Sequence, residues 1–217
     1  MRLLLRSVII GAFVSHVVSG LSIPRAESTT CKLQLFQDST PLQYVSFKLN
    51  EFGEYGILTK STTKALEVTF IHRNNSQRMD MMVTGGYTDT PMLGGISGFF
   101  NEGEDLNLGS HHYTYVGLTA QTPSGSTPQT GANSFDTIKD YERKIESVIW
   151  LFDSATKQVT PQWINTDKSA PKNYLIYINK QNVIIITADK DKFVAKFREE
   201  FEMQGANPIE VTMKCLE

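Results

Sequence analysis

Hydrophobic and polar residues alternate with a period of two over much of this chain. Leu33 and Leu35 alternate with Lys32 and Gln34, and Val45, Phe47 and Leu49 with Ser46 and Lys48. Leu66, Val68 and Phe70 alternate with Glu67 and Thr69, and Val211, Met213 and Cys215 with Glu210, Thr212 and Lys214. Successive side chains of a strand point to opposite faces, so each run predicts an antiparallel strand with one face on a core and one face wet. Further strands are predicted over 55–59, 80–84, 113–120, 147–152, 159–164, 174–178 and 183–187. The last two flank a hairpin turn at Asn179-Lys180-Gln181-Asn182.

One segment changes period. Phe193, Phe197 and Phe201 recur every four residues beside Val194, with Asp189 placed as N-cap and Gly205 and Asn207-Pro208 as stop signals. This predicts one helix whose phenylalanine stripe docks on a sheet. A Pro/Ser/Thr/Gly-rich stretch between Gln121 and Ser134 predicts an exposed loop, too short to divide domains. The resulting expectation is a mainly β fold, an antiparallel two-sheet sandwich or jelly roll with one C-terminal amphipathic helix.

The first residues follow a different logic. Arg2 and Arg6 precede an apolar run, Val8 to Val14, that continues to Val17-Val18 and ends at Ser19-Gly20. This is the layout of a cleaved secretory signal over 1–20, with an uncleaved anchor as the alternative; the run is too short to span a bilayer stably. Residues 21–30 read as a short N-terminal extension, with Arg25 a weak processing signal, and 31–217 as a single β-rich domain. No further stretch downstream reaches membrane-spanning length. The chain is therefore expected to be secreted, and extracellular.

Charge and cysteine content fit that expectation. Loss of Arg2 and Arg6 takes the 21 basic residues to 19 against 23 acidic ones, a net charge near −4. No basic patch for nucleic acid or anionic lipid results. Cys31 and Cys215, the two cysteines of the sequence, lie near opposite ends of the mature chain and are expected to form one disulfide. Two free thiols are the alternative, and no Cys-x-x-Cys spacing suggests zinc. Asn74-Asn75-Ser76 is a glycosylation sequon in a polar turn, so Asn74 is a candidate glycan acceptor.

Candidate chemistry is sparse. His111 and His112 are adjacent and would face opposite sides of a strand, which disfavours a shared metal; His111, Tyr113 and Tyr115 would share a face. The oxygen-rich loop 101–107 does not have EF-hand spacing. Gly94-Gly95-x-x-Gly98 fits no phosphate loop and reads as tight turns or close backbone packing. There is no Gly-x-Ser-x-Gly elbow. Glycosidase carboxylates follow no spacing rule, and Glu146, Asp153 and Asp167, near the two tryptophans, are the least arbitrary choices. Trp150 keeps phase with Val148 and Phe152 and reads as core. Trp163 leads into Asn165, Thr166 and Asp167, an aromatic beside amide and carboxylate groups, which is chemistry that stacks on and hydrogen-bonds a sugar.

Five segments, Asn50–Leu58, Leu93–Gly98, Gly109–Tyr113, Glu146–Trp150 and Pro161–Asp167, together resemble small secreted proteins abundant in mushroom-forming fungi, across nearly the whole mature chain. The resemblance implies export and a single β-rich domain, and carries no activity or functional residue with it. The reading is a secreted, non-enzymatic β-sandwich that binds glycan, as at a cell wall, or another extracellular ligand, through Tyr113, Tyr115, Trp163, Asn165 and Asp167. No metal or cofactor is expected. The alternatives are an extracellular hydrolase with a carboxylate pair and an effector-like interaction protein using the 121–134 loop.

Overall fold

The computed structural model describes residues 26–139 and 142–217; the signal read over 1–20 lies outside them. Fourteen strands occur among the described residues: β1 (Glu27–Gln37), β2 (Thr40–Val45), β3 (Leu58–Thr59), β4 (Glu67–His72), β5 (Met81–Tyr87), β6 (Thr90–Ser97), β7 (Tyr113–Thr119), β8 (Gln129–Thr130), β9 (Lys144–Glu146), β10 (Trp150–Phe152), β11 (Gln158–Pro161), β12 (Tyr174–Ile178), β13 (Val183–Thr187) and β14 (Pro208–Leu216). The helices are α1 (Ser134–Lys139), α2 (Lys190–Lys196) and α3 (Arg198–Gln204). None of them is long and apolar enough to cross a membrane.

Eight of these strands close into an antiparallel barrel in the order β1-β14-β12-β13-β7-β6-β5-β4 and back to β1. This corrects the expected sandwich or jelly roll. The first and last strands pair over Lys32↔Leu216 to Phe36↔Thr212, so the two edges a sandwich would leave open become a seam. Alternation is satisfied equally by a sandwich and a barrel, because both bury one face of each strand. Only the long-range pairing of β1 with β14 separates them. β1 also starts at Glu27, opposite His72 of β4, so the barrel takes in part of the predicted N-terminal extension.

The disulfide between Cys31 and Cys215 staples that seam from inside, both residues being buried in the main core. That core fills the barrel with Leu33, Leu35, Val68, Met81, Leu93, Val116, Leu118, Leu175, Ile184, Ile186 and Met213. Trp163 lies in it, against Gly95 of β6, where an added Cβ would sit 2.9 Å from the indole ring. Of the two readings of Gly94-Gly95, tight turn or close packing, the pair takes the second: both lie in β6, and Gly95 is the seat of a tryptophan.

β12 and β13 are apolar on both faces, Leu-Ile-Tyr-Ile and Val-Ile-Ile-Ile, and both faces are covered. Leu175, Tyr177, Ile184 and Ile186 point into the barrel, while Ile176, Ile178, Val183 and Ile185 join Tyr113, Phe193 and Phe201 in a second core outside it. The expected single helix supplies that outer cover as two short ones. Asp189 caps α2 by accepting from the Lys192 amide, the chain breaks at Phe197 (φ −106°, ψ 14°), and Gly205 (φ 60°) ends α3.

The predicted strand over 55–59 survives only at its end. Residues 54–55 instead form a wedge in the barrel wall. β7 and β13 pair from Tyr113↔Thr187 to Tyr115↔Ile185 and then part. In the gap the Tyr55 amide donates to the Val116 carbonyl and the Ile184 amide to the Tyr55 carbonyl, each at 2.8 Å. Tyr55 is buried in the barrel core, and its neighbour Glu54 bridges to Gly117.

Candidate functional site

Beneath α2 and α3 the second core is incomplete. A cavity of about 790 Å³ opens there against the outer faces of β7, β12 and β13, a size typical of small-molecule sites. Its floor is Tyr113, Tyr115, Ile178 and Ile185; Phe193 of α2, Phe201 of α3 and Phe197 at the break between them form another wall. The opposite walls are Phe52 and Glu54 from the wedge segment and Phe99 and Phe135 from the ends of β6 and the start of α1. The helix break at Phe197 matters here. Phe193 and Phe201 are buried, whereas Phe197 is half-buried, its ring 5.6 Å from Tyr113 and 5.8 Å from Phe100.

The polar groups of the cavity cluster at the wedge. Asn50 holds the local fold: its Oδ1 accepts from the amides of Phe52 and Glu54, and its Nδ2 donates to Glu54 Oε2 at 2.8 Å. The same amide reaches the Gln181 and Asn182 carbonyls in the β12–β13 turn. The Tyr113 and Tyr115 hydroxyls share a hydrogen bond at 3.0 Å, and the rings of Tyr115 and Phe135 stack at 5.1 Å. Burial pushes the Tyr115 phenol up to about 12 and Tyr113 well above its ordinary value. Both hydroxyls therefore stay protonated at ordinary pH; one proton is used in the hydrogen bond they share, which leaves one hydroxyl to donate to a guest.

The five residues read as a sugar platform do not come together. Tyr113 and Tyr115 line the cavity on the outer face of β7, while Trp163 packs inside the barrel with its Nε1 donating to the Glu104 carbonyl. Asn165 is fully buried and committed: Oδ1 accepts from the Leu106 amide, and Nδ2 donates to the Leu106 carbonyl, Asn107 and Ser169. Asp167 is exposed and accepts from the Ser169 amide at 2.8 Å. The carboxylates considered for hydrolysis lie in three separate surroundings. Glu146 is 1% exposed, accepts from the Ile164 amide at 3.0 Å, and is pushed up to about 8 by burial. Asp153 and Asp167 each close their own turn and are held below the usual carboxylate range by those hydrogen bonds.

The histidine pair has structural roles. His112 Nδ1 lies 3.0 Å from the Asp105 carbonyl and Nε2 accepts from the Glu102 amide, which together place its proton on Nδ1 and pin the acidic loop. His111 packs edge-on against Phe197 at 6.3 Å, and burial lowers its pKa. No group of three or more His, Cys, Asp or Glu arranged to hold a metal occurs among the described residues. Asn74 stands exposed in the turn after β4, its Oδ1 accepting from Ser76.

A second, more open concavity of about 760 Å³ lies on the outer side of β4 to β6. Its polar groups are largely engaged within the protein: Arg78 donates to Gln162 and Asp80 accepts from Gln121, both at 2.7 Å. Asn50, Phe52, Glu54, Phe99 and Phe135, which build the first cavity, had drawn no functional reading from sequence. The detectable signal was the apolar run on both faces of β12 and β13, which demands an outer cover. Compared with known proteins, the chain matches no protein-family model, no curated protein and no solved structure.

Proposed function

We propose that this is a secreted, non-catalytic binding protein that holds a small, largely apolar molecule between the α2–α3 pair and the barrel wall. The observation that carries the reading is the ring-lined cavity: Phe193 and Phe197 pack edge-on against Tyr113 at 5.2 and 5.6 Å, and the space beside these rings is lined by Phe201, Tyr115 and Phe135 as well. Rings left facing a cavity forgo the contacts that close packing supplies, and a guest of matching shape restores them. Hydrogen-bonding side chains also line the space, Asn50, Lys180, Gln181, Glu200 and Gln204 among them, so the case for an apolar body is made by the rings. Export is supported by the N-terminal sequence and by the disulfide.

The test is a titration of the oxidised protein with N-phenyl-1-naphthylamine, a neutral apolar fluorophore. Saturable binding at one site is expected, weakened by about tenfold or more in Phe197→Ala, the change expected from removing one well-packed ring. Fluorescence that rises without saturation, or binding that Phe197→Ala leaves untouched, would overturn the assignment. A glycan array provides the competing outcome: tight binding to a wall polysaccharide with no response to the fluorophore.

A further inference from the structure

The sequon at Asn74 adjoins the second concavity, on the outer side of β4 to β6. On β4 and β5, Val68, Phe70, Met81 and Val83 enter the barrel core, which turns Thr69, Ile71 and Met82 outward. Register sets the outward residues side by side: Ser28 is opposite Ile71, Met82 opposite Thr69, and Met92 opposite Met82. The concavity therefore has an apolar floor, with Ile71 63% and Met82 50% exposed. Arg78 and Asp80 at its edge are already hydrogen-bonded within the protein, so the floor offers mainly aliphatic and thioether surface. A cluster of exposed apolar side chains in a concavity marks a contact surface, as a single one does not.

Asn74 stands at the rim. The turn after β4 carries Arg73 and Gln77, which both line the concavity, and exposed Asn74 lies between them. Its Oδ1 accepts from the amide and the hydroxyl of Ser76, the third residue of the sequon, and its Nδ2 makes no hydrogen bond among the described residues. That nitrogen is the one secretory glycosylation uses. It attacks the anomeric carbon of a lipid-pyrophosphate-linked oligosaccharide: the Nδ2–C1 bond forms, the C1–O bond breaks, and the lipid pyrophosphate leaves as one Nδ2 proton is lost. We propose that Asn74 carries an N-linked glycan whose first sugars lie over Ile71, Met82 and Met92. A pyranose presents C–H groups on its faces and hydroxyls around its edge. The face covers the floor while the edge meets water, Gln77 and Arg73, so apolar area is buried and the hydroxyls stay hydrogen-bonded. This inference rests on the reading of the chain as exported and is independent of what the cavity beneath α2 and α3 holds.

Methionine oxidation reads the cover directly, because thioether reactivity follows exposure. The full chain is expressed in insect cells, recovered from the medium and compared with Ser76→Ala, which removes the sequon at an exposed position. Dilute hydrogen peroxide is applied to both, and sulfoxide is followed by peptide mass spectrometry. Met203, 82% exposed on α3, is the internal reference. Met82 of the glycoprotein is expected to oxidise about threefold or more slowly than Met82 of Ser76→Ala, with Met203 the same in both. Enzymatic removal of the glycan from the folded glycoprotein is expected to raise the Met82 rate in the same way, which decides the matter if the variant does not fold. Equal Met82 rates with and without the glycan would overturn the covering role, and so would secreted protein with an unmodified Asn74. Met82 protected as strongly without the glycan would give the floor to another cover, a second copy of the chain if protection falls on dilution and a segment of the same chain if it does not. Failure of the protein to reach the medium would overturn the export reading and this inference with it.

Discussion

The Ile184 amide donates to the Tyr55 carbonyl at 2.8 Å, across a gap where β7 and β13 would otherwise have paired directly. A short irregular segment thus completes the barrel wall. It satisfies the backbone groups that the parted strands leave exposed, sends Tyr55 into the core and leaves Glu54 on the cavity side. The binding cavity and the closure of the barrel depend on the same few residues.

Gly56 shows how tight that fit is. A Cβ there would lie 2.3 Å from both the carbonyl carbon and the oxygen of Asn182, and backbone atoms cannot turn aside as a flexible side chain can. Gly56→Ala is expected to destabilise the fold by about 3 kcal/mol, at the upper end of overpacking effects. Urea denaturation measures this, and a loss under about 0.5 kcal/mol, the size of an ordinary surface change, would show that the wedge shifts freely.

The disulfide joins residues 184 apart in sequence and spans the β1–β14 seam. Constraining so long a loop in the unfolded chain corresponds to about 5 kcal/mol in the chain-entropy treatment. Cys31→Ala/Cys215→Ala is expected to lower stability by several kcal/mol, read from the denaturant midpoint under oxidising conditions. A midpoint unchanged by the double substitution would mean that the seam hydrogen bonds alone hold the barrel shut.

Glu146 makes stability fall with rising pH. Its folded pKa, about 8, lies above the ordinary glutamate value of 4.5. Below that lower value both states hold the proton and no penalty arises. Between the two the unfolded chain releases its proton while the folded chain keeps it, so stability declines, and the decline levels off above about 8. Glu146→Gln, neutral throughout, lacks this decline. Urea unfolding of both proteins from pH 4 to 9 is expected to show curves that diverge by a few kcal/mol in favour of the variant; parallel curves would refute the account.

Asp189 serves two donors at once. Oδ1 accepts from the Lys192 amide at 3.0 Å as the cap of α2, and Oδ2 from the Gly109 amide at 2.9 Å, tying the 106–110 loop to the helix. These bonds hold its pKa below the usual range. Their contribution is therefore present above the ordinary aspartate value and lost as pH falls through the lowered one. Asp189→Ala is expected to cost about 1 kcal/mol near neutrality, as other N-caps do, and less in acid. Hydrogen exchange at the Lys192 amide reports it directly, and unchanged protection in the variant would contradict the cap assignment.

Local features were readable from the chain alone. The hairpin strands 174–178 and 183–187, the cap at Asp189, the stop at Gly205 and the docking of the phenylalanine stripe on a sheet each depend on residues within one or two turns of each other. The pairing of Cys31 with Cys215 was readable for a different reason, since two cysteines allow one intramolecular bond. Barrel closure was not, because period two records that a strand has a buried face and not which strand lies beside it. The same gap misplaced Trp163 and Asn165: a tryptophan followed by amides looks alike whether its ring meets solvent or the bare backbone of Gly95. Glu54, Asn50 and Phe135 acquire meaning only when the wedge enters the wall and α1 packs beside it. Strand character, the helix ends and the disulfide follow from the residues alone, because local sterics, hydrogen bonding and valence set them. The barrel, the buried Glu146 and the ring-lined cavity come from the folded chain, because each arises from contacts between segments tens to more than a hundred residues apart.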